Sequence, residues 1–178
     1  MKRFDRMVLR GCTSAAVILV AVLAWPTAGS SQTAKCKPVP GVAGLVCQQI
    51  EAWGEALQES WAKGNPDLVV DKYAPEAILL PTCSADVAIG RPDIKKYFVE
   101  KFLPAEPRLT GIGTPTAGQA GNVIFGSGEY EFTLKDKQGK DVTVPARYTY
   151  IFRGAGNAYL IVQHHSSLEP LNPAAKCP

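Results

Sequence analysis

The chain has 178 residues, 46% hydrophobic and 20% charged, with a formal net charge of +3. That length suits one domain with a core of its own. The composition excludes a disordered chain, a collagen-like repeat and a multi-span membrane protein.

The N-terminus reads as a leader. Lys2, Arg3, Arg6 and Arg10 make it positive, and an apolar run follows from Ala15 to Trp25. That run is too short to cross a bilayer as a helix and suits the core of a signal peptide. Ala28-x-Ser30 fits a cleavage site, so residues 1–30 are expected to be a signal peptide, and the chain is expected to be periplasmic or secreted. A cleavage after Ala34 and an uncleaved anchor are the alternatives. Residues 1–30 carry four of the 19 basic and one of the 16 acidic residues, which leaves 15 of each and a neutral remainder. A nucleic-acid partner therefore loses its electrostatic support, and no membrane contact is expected after cleavage.

The remainder keeps Cys36, Cys47, Cys83 and Cys177. Disulfides are expected in an exported chain. Three pairings are open, and a bridge from Cys36 to Cys177, which flank the domain, is the first expectation. No CxxC pair occurs, which argues against a cysteine zinc site.

In chain order, Val42, Leu45, Val46, Ile50, Trp53, Leu57 and Trp61 recur at steps of three and four and predict an amphipathic helix ending at Gly64. Asn65 caps a short helix with Pro66 in its first position, running to Tyr73. Ala77–Leu80 reads as a buried strand. Gly90-Arg91-Pro92 opens another helix, with Ile94, Tyr97, Phe98 and Phe102 on one face and Pro104 at its end. Strands are predicted over 108–115, 122–135, 141–153 and 158–168, the last three as an antiparallel meander. Turn clusters at 117–121, 136–140 and 154–157 separate them. The expected class is α+β: a long helix packed in a curved antiparallel sheet, with a pocket between them.

Both histidines fall in Gln163-His164-His165-Ser166-Ser167. Regular alternation puts Tyr159, Ile161, Gln163, His165 and Ser167 on one face, and Leu160, Val162, His164 and Ser166 on the other. Two histidines on opposite faces cannot build a three-histidine zinc site, so no cofactor is expected, with a mixed zinc site on His165 as the minority alternative. The same residues also read as a polar strand end that satisfies neighbouring backbone. Thr82 equally reads as a turn hydroxyl, Tyr97 as a buried helix ring, and Cys83 as a disulfide partner rather than a nucleophile.

Gly64-Asn65-Pro66-Asp67, Tyr73-Ala74-Pro75-Glu76-Ala77, Leu79-Leu80-Pro81-Thr82, Tyr97-Phe98, Ala146-Arg147-Tyr148-Thr149 and His164-His165-Ser166-Ser167 occur in this order. The pattern resembles exported bacterial relatives of the calcium/calmodulin-dependent protein kinase association domain, in the nuclear-transport-factor-2-like (SnoaL-like) superfamily. It is most similar to the iota-class carbonic anhydrases, which often end in a His-His-His-Ser-Ser strand. The resemblance covers about residues 43–170, leaving 31–42 as a lead segment and 171–178 as a tail.

The resemblance implies a cone-like sheet, a homodimer, and reversible hydration of carbon dioxide without a metal. Thr82, Tyr97, His165 and Ser167 would be catalytic, with Gln163, Ser166 and Arg147 binding substrate. Gln163 stands where the family's first histidine would be, which weakens a metal-dependent version. Arg147 reads equally as a rim salt bridge. Two other readings stay open: a non-catalytic small-molecule-binding or oligomerisation domain of the same fold, and an isomerase of the ketosteroid-isomerase kind. The isomerase needs a carboxylate base, for which Asp71, Glu76 and Glu129 are the candidates.

Overall fold

The computed structural model describes residues 33–170; the leader read over 1–30 and the tail 171–178 lie outside the described residues. Helix α1 spans Gly41–Lys63. Its stripe of Val46, Ile50, Trp53 and Leu57 is buried, while Leu45 and Trp61, expected on the same face, lie at its margin and are each 38% exposed. The helix ends where Gly64 takes a φ of 61°, a left-handed conformation that costs glycine little. Gly54 lets α1 come close to the sheet, since a Cβ there would sit 2.5 Å from Leu109. The single turn α2, Asp67–Val70, is capped by the Asn65 side chain, which accepts from the Asp67 N–H at 3.2 Å.

Seven strands form one sheet: β1 Tyr73–Leu80, β2 Ala88–Ile89, β3 Arg108–Ile112, β4 Thr116–Ala120, β5 Val123–Lys135, β6 Asp141–Ala155 and β7 Ala158–Leu168. Their order is β2-β1-β7-β6-β5-β3, with β4 paired to β5. The meander β5-β6-β7 is antiparallel as expected. The short helix read to Tyr73 stops at Val70, and two further elements differ from expectation. The strand β1 starts at Tyr73, four residues early, and runs parallel to β7. Pro75 hides this in the sequence, because its lost donor falls where the ladder is already irregular, between Tyr73 and Ile78. Residues 117–121, read as a turn, are mostly strand β4. Gly118 is needed there for space rather than for a turn, because a Cβ would lie 2.5 Å from the Phe125 ring opposite.

Helix α3 spans Gly90–Tyr97 and continues as a wide turn over Phe98–Phe102 and a tight one over Leu103–Ala105. It buries Ile94 and Phe98 against β1. The rings of Tyr97 and Phe102 stack at 6.0 Å.

The irregularity that matters most lies in β7. Ile151 of β6 faces Gln163, but the next residue, Phe152, faces Ile161. Val162 therefore has no partner of its own and forms a β-bulge. One extra residue inverts the alternation beyond it. Ile161, His164 and Ser166 are buried, and His165 is exposed. The expectation that His165 and Ser167 share the inner face with Ile161 is thus overturned; His164 and Ser166 take those places.

Cys36, just before α1, is bonded to Cys47 in its second turn. This overturns the expected bridge between Cys36 and Cys177. Cys83 is also disulfide-bonded, which removes it as a nucleophile. A bridge closing so short a loop restricts the unfolded chain by about 2–3 kcal/mol. Replacing both Cys36 and Cys47 by alanine is expected to lower the urea-unfolding free energy by that amount, measured by circular dichroism, with the fold retained.

Candidate functional site

Between α1, the α3 segment and the inner face of the sheet lies a cavity of about 410 Å3. Its walls are apolar and aromatic, among them Phe98, Phe102, Phe132, Leu134 and Val144. Lys101 and Lys137 line it and are exposed, so they mark its mouth. Among the described residues no aspartate or glutamate lines it. The polar groups that reach it are Thr82, Tyr97, Tyr130, His164 and Ser166.

These groups arrive from separate elements. Thr82 follows β1, Tyr97 ends α3, Tyr130 comes from β5, and His164 and Ser166 come from β7 past the bulge. Thr82 Oγ1 and Ser166 Oγ are hydrogen-bonded. The Tyr130 hydroxyl donates to Ser166 Oγ and also contacts His164 Nε2 at 3.3 Å. His164 Nδ1 lies 2.9 Å from the Tyr73 hydroxyl, which accepts from Trp53 Nε1–H at 3.1 Å. Five hydrogen bonds thus link Trp53, deep in α1, to Thr82 at the cavity.

The surroundings of His164 are aromatic on every side. Tyr150 stacks on its ring at 4.0 Å and Trp53 meets it edge-on at 5.3 Å. Burial, with a smaller push from the charge on His165, lowers the imidazole to about 3 from its usual 6.5. His164 is therefore neutral at neutral pH. Burial likewise pushes the Tyr73, Tyr97 and Tyr130 phenols far above 10, so all three stay protonated donors. The Tyr150 hydroxyl is buried and has no hydrogen-bond partner among the described residues.

Of the residues singled out in the sequence, Thr82, Tyr97 and Ser166 meet at the cavity. His165, Ser167 and Arg147 do not. They lie together on the opposite face in an open groove, where Arg147 Nη2 donates to Ser167 Oγ at 3.3 Å. Gln163 is half-buried at the bulge and reaches neither place. Sequence reasoning missed Trp53, Tyr73, Tyr130 and His164 as members of one polar chain. A readable trace was the period-two aromatic stripe Tyr130-x-Phe132 beside Tyr148-x-Tyr150-x-Phe152, which marks the inner face of β5 and β6.

The cavity offers one imidazole, and both of its nitrogens are already engaged by tyrosines. Cys83 is in a disulfide, and among the described residues no group of three histidines, cysteines or carboxylates converges. The isomerase carboxylates are also elsewhere: Asp71 pairs with Arg91, Glu76 with Arg153, and Glu129 lies in the outer groove.

A family model described as calcium/calmodulin dependent protein kinase II association domain matches residues 47–170. A solved structure from Xanthomonas campestris, described as such an association domain, is 37% identical over 79% of this chain and 96% of its own, with a TM-score of 0.67. A nuclear transport factor 2 (NTF2-like) superfamily protein from Salmonella enterica shares the fold at 17% identity, over 76% of this chain and 97% of its own, with a TM-score of 0.57. A structure from Streptomyces avermitilis, described as a dehydratase of the NTF2-like family, is 13% identical over 68% of this chain and 95% of its own, with a TM-score of 0.56. No curated protein matches the chain.

The lowered His164 has a consequence for stability. Between pH 6.5 and about 3 the unfolded imidazole binds a proton that the folded one refuses. The contribution is full above pH 6.5 and falls by about 1.4 kcal/mol for each pH unit below it, down to the folded value. Melting temperatures measured from pH 7 to pH 4 are expected to fall more steeply for the native chain than for His164→Gln. Equal slopes would contradict the assignment.

Proposed function

Because the chain belongs to the calcium/calmodulin-dependent protein kinase II association domain family, within the NTF2-like superfamily, we propose that its cavity hydrates carbon dioxide reversibly to bicarbonate without a metal. The resemblance to iota-class carbonic anhydrases supports this reading. The observation that carries it is the Thr82–Ser166 hydroxyl pair, set in an aromatic cavity beside a buried neutral imidazole.

Apolar walls suit carbon dioxide, which has no charge to desolvate. The Thr82 and Tyr97 hydroxyls hold its oxygens and a water at reacting distance, so positioning does much of the work. As the water oxygen bonds to carbon, an electron pair moves onto a carbon dioxide oxygen, and the hydroxyls stabilise the charge that gathers there. The water's proton leaves to solvent through the mouth, where Lys101 and Lys137 also favour the bicarbonate anion. The proton-relay role read for His165 does not pass to His164, whose two nitrogens are occupied. His164 instead holds Tyr130, and through it Ser166. Among the described residues no group lowers the pKa of water as a bound zinc ion can, so turnover is expected to be modest.

The cavity volume favours a second reading. About 410 Å3 is far more than carbon dioxide fills and falls in the range of small-molecule sites. A non-catalytic domain of the same fold that holds a small organic ligand accounts for it. Under either reading we propose an exported chain, cut near Ser30, that forms a homodimer through the outer face of the sheet, as the association-domain family supports.

Stopped-flow carbon dioxide hydration separates the two readings. Catalysis that survives a chelator is expected. Thr82→Val, Tyr97→Phe and Ser166→Ala are each expected to lower it by about tenfold or more, the loss of roughly one charge-stabilising hydrogen bond. Ser167→Ala and Arg147→Gln on the outer face are expected to leave it unchanged. No rate above the buffer blank would overturn the enzyme and leave the binding domain.

A further inference from the structure

The chain of hydrogen bonds from Trp53 to Thr82 has a direction, and the direction decides what the cavity can recognise. An indole N–H donates and cannot accept. Tyr73 therefore receives a proton from Trp53, and its own hydroxyl proton needs an acceptor elsewhere. Tyr73 is fully buried, and His164 Nδ1 is its one other partner among the described residues.

Two proton arrangements are conceivable for a neutral His164. With the proton on Nδ1, that N–H would point at the Tyr73 oxygen and strand the Tyr73 proton unpaired in the core, which is costly. With the proton on Nε2, Tyr73 donates to Nδ1 and Nε2–H donates to Tyr130. The Tyr130 proton is then free for Ser166, which is the donation its geometry gives. Ser166, having accepted, donates to Thr82 Oγ1. The Thr82 proton is left over, and Thr82 lines the cavity. Every link then has one donor and one acceptor.

We infer that this one-way chain turns the inner end of the cavity into a hydrogen-bond donor, which favours an acceptor oxygen such as that of a carbonyl, carboxylate or bicarbonate over ligands that present only a donor there. Trp53, Tyr73, His164 and Tyr130 are positioning residues in this account, since they act on the ligand through Ser166 and Thr82. The inference rests on the cavity being the ligand site and not on the reaction run in it. It covers bicarbonate and the organic ligand of the second reading alike. It also means that the chain cannot serve as a proton wire, because running it in reverse would require the indole to accept.

Long-range nitrogen–proton NMR on protein labelled with 15N-histidine reads the direction. His165→Gln assigns the spectrum, since the chain has two histidines. At neutral pH the His164 proton is expected on Nε2, and a proton on Nδ1 overturns the inference. Ligand selectivity is read with two neutral probes of similar size: dimethyl sulfoxide, which only accepts, and pyrrole, whose N–H donates. Dimethyl sulfoxide is expected to shift the Thr82 and Ser166 amide resonances with an affinity about tenfold above that of pyrrole, the worth of one matched hydrogen bond. Equal binding of pyrrole at those amides overturns the inference. Tyr130→Phe cuts the chain below His164 and is expected to remove the preference. A preference that survives it overturns the role of the chain. Carbon dioxide hydration enters none of these readings, so the enzyme proposal and this one fail separately.

Discussion

Across the middle of β7, one residue more than β6 can pair with is fitted into the sheet, and the inner end of the cavity depends on it. Val162 takes the unpaired place. Before it, Ile161 points to the core; after it, His164 and Ser166 do. Without the bulge, an exposed groove would hold His164, and His165 would meet Trp53 and Tyr150. The bulge costs a ladder position. In return it aims a histidine and a serine at the same cavity as Thr82 and Tyr97. Bulges commonly re-aim side chains next to functional sites.

A buried imidazole needs partners for both nitrogens, and the aromatic core supplies them as phenols. Tyr73 and Tyr130 come from β1 and β5, on either side of the β6–β7 pair, so the sheet order itself brings them to the two ends of the ring. Two flat surfaces, Tyr150 and Trp53, hold that ring in place. A network this deeply buried is costly when one of its members is removed.

Much of this was legible in the sequence. The α1 stripe, its stop at Gly64, the meander and the Leu79–Thr82 and Tyr97–Phe98 motifs all pointed to the right fold, because helix and strand periods are local properties. The faces of β7 were not legible. Alternation carries parity along a strand only while pairing is regular, and Val162-Gln163 contains no glycine or proline to mark a break. The β1 start at Tyr73 was hidden by Pro75, and β4 by a glycine that serves packing instead of turning. Short-range closure between Cys36 and Cys47 could not be chosen over the longer bridge from spacing alone. Each miss was a pairing in space that no local pattern records.

The central claim is that the bulge at Val162 puts His164, and not His165, inside the aromatic core. Nuclear Overhauser contacts from the two histidine rings test this without any assay of activity. The account predicts cross-peaks from the His164 ring to Tyr150, whose centroid lies 4.0 Å away, and to Trp53. Cross-peaks from the His165 ring to Tyr150 or Trp53 would contradict it.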